Sequence, residues 1–308
     1  MKVVFLGTPD FAVLPLKAVY DKKGVEILAV VCNRDKPTGR KQILTAPPVK
    51  QAAQELGIPV FQYDKIRSEG VEDLKKLAPD LMITCAFGQI LSQEILDIPK
   101  FGVINIHASL LPKYRGASPI HYAILNGEKQ TGITIMKTDI GIDTGDIIMQ
   151  KTLNIGKNET CGELFTRLSA LGAECIVDAL DRVFNGTATF TRQDEKKATY
   201  TKTIKKEQAL IDWTRPAEEI VNKIRAFNPA PVAFTFLNGE PFKIYDADIS
   251  DKKGDAGKVI SSDKTLIVGA GEYSVSLIKV CKAGGKTMSS ADFLRGNPIP
   301  VGTVFGQK

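Results

Sequence analysis

Through the first half of the chain, short apolar runs alternate with longer stretches whose apolar positions recur every three or four residues. Val3 to Leu6 is an unbroken apolar run that stops at Gly7, and Phe11 to Tyr20 follows with a helical repeat. Glu26 to Cys32 reads as a second strand and Val49 to Leu56 as a helix stopped by Gly57. Val60-Phe61 reads as a short strand and Val71 to Leu77 as another helix. Leu81 to Ala86 and Val103 to His107 continue the series of strands. This alternation predicts a mostly parallel sheet with helices on both faces, a doubly wound α/β domain of Rossmann-like type. A long helix from Cys161 to Phe184 closes the domain, which is expected to span residues 1–189.

Beyond it the pattern changes. The stretch TRQDEKKATYTKTIKKEQ (191–208) is polar, charged and poor in periodicity, so a linker is expected at 190–207. A helix then opens at Pro216 and stops at Asn228-Pro229. Runs of β type follow at Ala233 to Leu237, Phe242 to Ala247, Lys258 to Ile260, Leu266 to Gly269 and Tyr273 to Val280. Short strands at this spacing predict a small OB-like β-barrel over 208–308.

The strand at Val103 to His107 ends unlike a core strand. In INIHASLLPKYRGASPI, side chains alternate faces, so Asn105 and His107 project together while Ile104, Ile106 and Ala108 point the other way. A turn of fixed shape follows through Leu110-Leu111-Pro112 to Lys113-Tyr114-Arg115-Gly116. Ligands of open α/β sheets gather at the carboxyl ends of strands, where this pair falls. VVFLGTPDF has one glycine where a dinucleotide fingerprint needs three, so NAD is excluded there. Further on, ITIMKTDIGIDTGDII (133–148) predicts an alternating strand that breaks at Asp139-Ile140-Gly141 and carries Asp143 and Asp146 in a glycine-flanked loop. If Asp143 meets the Asn105–His107 face, the site combines an amide donor, an imidazole and a carboxylate. That set suits acyl transfer without a covalent enzyme intermediate. An amine attacks a carbonyl, Asn105 and His107 donate to the developing oxyanion, and Asp143 orients the imidazole and takes the amine proton. One such donor contributes roughly 3–4 kcal/mol at the transition state. Asp143 reads equally well as a turn residue bonded to its own backbone.

Composition narrows the setting. The chain has 308 residues, 43% hydrophobic and 25% charged, as in a soluble globular protein. No window approaches the ~18 apolar residues of a membrane span, and the amino terminus runs straight into a strand without a signal-peptide layout. A cytoplasmic protein, complete from its first residue, is expected. Cys32, Cys85, Cys161, Cys175 and Cys281 are scattered, with no CxxC or Cys/His cluster, so neither a disulfide framework nor a metal site is expected. His121, at a helix start, reads as structural. The net charge of +6 is uneven: residues 190–308 hold 19 Lys and Arg against 14 Asp and Glu, a net of +5. The loop at 33–48 carries Arg34, Lys36, Arg40 and Lys41 and is long for a strand-to-helix connection. Both features fit a polyanionic partner, and both fit a solvated basic surface.

NIHASLLPKYRG together with DIGIDTGD strongly resembles the folate-dependent formyltransferase family, whose members take a formyl group from 10-formyltetrahydrofolate. GTPDFA, DKPTGR, SPIHYAILNGEKQTGITIM and RAFNPAP extend the resemblance along nearly the whole chain. They point to the branch whose acceptor is the α-amino group of methionine on initiator tRNA. The resemblance implies the formyltransferase fold, and Asn105, His107 and Asp143 as catalytic residues. It also implies a folate site lined by Ser109, Leu110, Leu111 and Pro112. Phe87, Gly88, Ile90 and Leu91, with Asp139, Ile140 and Gly141, would form its walls. Contacts to tRNA are expected from Arg34, Lys36, Arg40 and Lys41, from Lys205 and Lys206 in the lysine-rich stretch, and from Arg225. A monomer is expected. Two other readings stand beside this one: a formyltransferase acting on an amino-sugar nucleotide, and a non-catalytic RNA-binding protein.

Overall fold

The computed structural model describes residues 1–39 and 41–306 and divides into two units. The first comprises Met1–Pro119, Gln130–Asn154 and Phe165–Lys202; the second comprises Ile120–Lys129, Ile155–Leu164 and Thr203 onward.

A seven-stranded sheet organises the first unit, in the order Ile147–Asn154, Gln130–Lys137, Val103–His107, Leu81–Cys85, Lys2–Gly7, Glu26–Cys32, Val60–Gln62. The last five run parallel, and the first two are antiparallel additions at one edge. Every residue of Leu81–Cys85 is buried, as are Val3 to Leu6, which is why these strands read as unbroken apolar runs. The chain builds outward from Lys2–Gly7 on one side, then returns to its other side with Leu81–Cys85. The strand order therefore reverses between Lys2–Gly7 and Leu81–Cys85, and the strand that carries Asn105 and His107 is the next one out.

Three elements differ from expectation. The single strand expected near 133–148 is a hairpin, Gln130–Lys137 with Ile147–Asn154, and the first of these is buried at every position from Thr131 to Met136. The basic 33–48 segment forms its own two-stranded hairpin, Lys36–Thr38 with Ile43–Thr45. Most consequential is the segment expected as a linker. Thr191 bridges to Ile147, and Tyr200–Thr201 pairs in parallel with Arg115–Gly116. Residues up to Lys202 thus belong to the first unit. Most side chains of this segment are exposed, but Gln193 and Thr201 are buried and hydrogen-bonded to distant parts of that unit.

In the second unit, six strands form an antiparallel sheet, five in the order Phe234–Leu237, Glu240–Ser250, Ser274–Lys282, Leu266–Gly269, Val259–Ser261, with Met288–Ser289 also paired to Ser274–Lys282. Bridges from Phe305 to Leu237 and from Val304 to Lys258 tie both edge strands together, curling the sheet in the manner of an OB-like fold. Ala217–Ala226 packs its apolar face, Ile220 and Ile224 included, into the core of this sheet. The indole of Trp213, the single tryptophan, donates to the Thr235 hydroxyl at 2.9 Å, and both residues are buried. Thr235→Val keeps the shape but strands the indole N–H, so it is expected to cost about 1–3 kcal/mol. Urea denaturation followed by Trp213 fluorescence measures this directly, and an unchanged midpoint would contradict it.

Candidate active site

The period-two pattern at Val103–His107 does what its sequence requires. Asn105 and His107 reach the same carboxylate, that of Asp143: Asn105 Nδ2 lies 3.4 Å from Oδ1 and His107 Nδ1 lies 3.6 Å from Oδ2. Thr84, on the neighbouring strand and in register with Asn105, donates its hydroxyl to Asn105 Oδ1 at 2.9 Å. The amide is thereby oriented with its nitrogen toward Asp143. His107 Nε2 faces the Tyr114 carbonyl at 3.0 Å; a carbonyl only accepts, so this nitrogen carries a hydrogen. Nδ1 is the ring nitrogen turned toward the carboxylate.

Asp143 occupies the left-handed region, with φ of 53°. Its Oδ2 accepts from the Gly116 N–H at 2.7 Å. Gly116 itself has φ of 106°, and a Cβ there would lie 2.5 Å from the Thr201 carbonyl oxygen, so only glycine permits this approach. The turn after the strand is held from below. Thr134 donates to the Ser109 carbonyl at 2.6 Å and accepts from the Leu111 N–H at 3.1 Å, while Gln150 donates to the Leu111 carbonyl at 2.8 Å.

Arg115 is completely buried. Its guanidinium is bidentate on Glu195 at 2.7 and 2.9 Å, contacts Gln193 Oε1 at 2.8 and 3.0 Å, and reaches the Tyr200 hydroxyl at 3.3 Å. The Arg115 hydrogen bond holds the Glu195 carboxyl below its ordinary range. Burial pushes the Cys85 thiol well above its usual range, so this residue packs rather than reacts. His121 is half-buried, tilted 6.4 Å from the Phe227 ring, and burial lowers its pKa. Among the described residues, no group of three or more His, Cys, Asp or Glu side chains is placed to hold a metal ion.

The expected folate residues fall into two sets. Ile90 and Ile140 are exposed at 68% and 66%, with Ile142 at 65%. Gly88, Asp139 and Gly141 are exposed as well, and Asp139 accepts from the Gly141 N–H and the Thr144 hydroxyl. Phe87, Leu91, Ser109 and Leu111 are buried, with Ser109 donating to the Lys113 carbonyl at 2.6 Å; Leu110 and Pro112 are half-buried.

Among the residues expected to meet tRNA, Lys36, Lys41, Lys205 and Lys206 are exposed. Arg34 is exposed and paired with Asp64 at 3.0 Å. Arg40 lies outside the described residues. Arg225 is a correction. It is only 8% exposed, and its guanidinium donates to the Gly156 and Glu159 carbonyls and to Asn222 Oδ1. It therefore braces the second unit and offers no surface charge to a phosphate.

Thr84, Gly116, Arg115 and Gln193 were not singled out as site residues by sequence reasoning. Gly116 had a signal, a glycine closing a turn that must hold its shape. Gln193 had none, because its partners lie about fifty residues away.

Residues 1–180 match the Formyl transferase family model, and residues 203–298 match the model of the Formyl transferase C-terminal domain. Relatives named methionyl-tRNA formyltransferase align end to end. The protein of Geobacter sulfurreducens is 43% identical over 100% of this chain and 97% of its own length. That of Bacillus subtilis is 44% identical over 99% and 98%. Among solved structures, an N-formyltransferase from Helicobacter canadensis, in complex with folinic acid and dTDP-3-aminofucose, superposes with a TM-score of 0.69. It is 23% identical and covers 90% of this chain and 98% of its own. A 4-N formyltransferase from Francisella tularensis gives 0.61 at 20% identity, over 77% and 92%. At these identities the two structures establish the fold alone. Both halves of the sequence and its full-length relatives lead to one conclusion: the chain belongs to the formyl transferase family.

Proposed function

We propose that the protein transfers the formyl group of 10-formyltetrahydrofolate to the α-amino group of methionine on initiator Met-tRNA. The observation that carries this reading is end-to-end identity of 43–45% with relatives named methionyl-tRNA formyltransferase. The meeting of Asn105, His107 and Asp143 around one carboxylate supplies the chemistry.

In this reading the methionine amine attacks the formyl carbon and a C–N bond forms. The carbonyl electron pair moves to oxygen. Asn105 Nδ2 carries two hydrogens; one is directed at Asp143, and the other serves the oxyanion. A protonated His107 Nδ1 is the second donor. Asp143 takes the proton from the attacking nitrogen, directly or through water. Collapse of the tetrahedral species breaks the bond to N10 of the folate, which receives that proton, so tetrahydrofolate leaves and the amide remains. Folate is proposed to lie against Ile90, Ile140 and the open backbone at Gly88 and Gly141, with Leu110 and Pro112 beside the formyl group. The buried Phe87, Leu91, Ser109 and Leu111 back that surface, and Asp139 fixes the loop. The hairpin lysines Lys36 and Lys41, with Lys205 and Lys206, are proposed as phosphate contacts, together with Arg34 and Arg40.

The test is formyl transfer from 10-formyltetrahydrofolate to methionine-charged initiator tRNA, with elongator Met-tRNA and an amino-sugar nucleotide as parallel acceptors. Transfer to the initiator alone is the expected result. Transfer only to the sugar would overturn the acceptor and keep the site. Folate binding with transfer to none of the three would overturn the enzymatic reading.

A further inference from the structure

The loop carrying Asp143 is held only lightly from within. Asp139 accepts from Gly141 and Thr144, and the Lys137 N–H donates to the Asp146 carbonyl at 2.9 Å across the loop's base. Between these ties, Asp143 has a backbone conformation that non-glycine residues seldom adopt. Its fixation comes from elsewhere in the chain. Gln193 Nε2 donates to the Asp143 carbonyl at 2.8 Å and to the Gly145 carbonyl at 2.7 Å. Both of its hydrogens therefore end on the loop that presents the carboxylate. Its Oε1 accepts from Arg115 Nε and Nη2, a planar fork that fixes the amide in orientation as well as position. Glu195 fills the other side of the same guanidinium.

Arg115 also joins the two halves of the site through its chain neighbours. The Tyr114 carbonyl accepts from His107, and the Gly116 N–H donates to Asp143. The backbone of this turn touches the imidazole and the carboxylate, while the side chain between them reaches the Asp143 backbone through Gln193. Both donors of Gln193 converge on the carbonyls of Asp143 and Gly145, so the tie it makes from the Arg115 turn ends on the loop that presents the carboxylate.

We infer that Gln193, clamped by Arg115 and Glu195, is a positioning residue for formyl transfer, setting where the Asp143 carboxylate stands relative to Asn105 and His107. It acts through Asp143 without touching the reacting atoms. The inference rests on the role proposed above for Asp143.

Gln193→Glu tests it, because the carboxylate still accepts from Arg115 but has no hydrogens for the two carbonyls. The expected result is a fall in kcat of about 10- to 100-fold, with KM for folate and for the charged tRNA within about 3-fold and a lowered Tm, because two carbonyls lose their donor. In an Asp143→Asn background the same change is expected to cost less than about 3-fold, since the group it positions is already lost. Hydrogen exchange at the Gly116 amide, which needs no turnover, is expected to accelerate in Gln193→Glu. Equal losses in both backgrounds, an unchanged kcat or unchanged Gly116 exchange would each overturn the inference. If Gln193→Glu does not fold, Gln193→Met is read by the same criteria. A parent protein that transfers no formyl group would sink the proposed function, and Gly116 exchange would still decide whether Gln193 holds the loop.

Discussion

Replacing His107 with alanine is expected to slow formyl transfer by roughly 10³-fold, equivalent to about 4 kcal/mol of transition-state stabilisation. The size follows from how the ring is held. Its Nε2–H is committed to the Tyr114 carbonyl, so the imidazole cannot rotate away, and Nδ1 stands toward Asp143 on the face shared with Asn105. A donor fixed before the reaction begins has no reorganisation cost when charge appears on the formyl oxygen, and that advantage disappears with the ring. Truncation also leaves the Tyr114 carbonyl without this partner, which costs roughly 1 kcal/mol of stability and stays well below the catalytic loss. Single-turnover transfer to charged initiator tRNA gives the rate, and nitrocellulose binding of the same RNA gives the affinity. The affinity is expected to stay within about 3-fold. A rate loss below tenfold would remove His107 from the chemistry, and a parallel collapse of RNA binding would assign it to folding instead.

The physics that made parts of this protein legible in its sequence is local. Strand periodicity placed Asn105 and His107 on one face because alternation depends only on the backbone, and the structure brings both side chains to one carboxylate. The second unit's strands were legible for a similar reason: apolar runs such as Leu266–Gly269 and Phe242 to Ala247 are bounded by turn residues, which a curled antiparallel sheet requires. What escaped depends on partners far along the chain. Residues 190–202 have the composition of a linker, yet Gln193 is buried against backbone about fifty residues earlier and Tyr200–Thr201 pairs with Arg115–Gly116. Nothing within that stretch distinguishes polar side chains that face water from polar side chains that satisfy buried carbonyls. Arg225 shows the same limit in reverse. Its charge suggested a phosphate partner, but three acceptors within its own unit already occupy it. From Ile133 onward the strand Gln130–Lys137 reads as alternating because Thr134 looks polar in sequence, although it is buried and its hydroxyl is engaged by the SLLP turn.

Asp143→Asn separates charge from geometry at the centre of the site. The asparagine oxygen can still accept from the Gly116 N–H, which the parent carboxylate engages at 2.7 Å, and Gln193 still holds the loop through the backbone. The side chain therefore keeps its strongest contact, loses the long one from Asn105 Nδ2 at 3.4 Å, and can no longer take a proton. A general base of this kind contributes typically 10²–10⁴-fold, so a fall in kcat of about 10²- to 10³-fold is expected, with KM for folate within about 3-fold. Asp143→Ala removes the acceptor as well and releases the Gly116 amide, so it is expected to be slower still and to lose some stability. The comparison is decisive because the two roles predict different rates for asparagine. If Asp143 only shapes the turn, asparagine should restore nearly the parent rate and alanine alone should be impaired. If it accepts the amine proton, asparagine should be almost as damaging as alanine despite a Tm close to that of the parent protein. Rates from single-turnover transfer and Tm from calorimetry on the same preparations distinguish the two. A parent-like rate in Asp143→Asn would end the base assignment while leaving Asn105 and His107 as oxyanion donors.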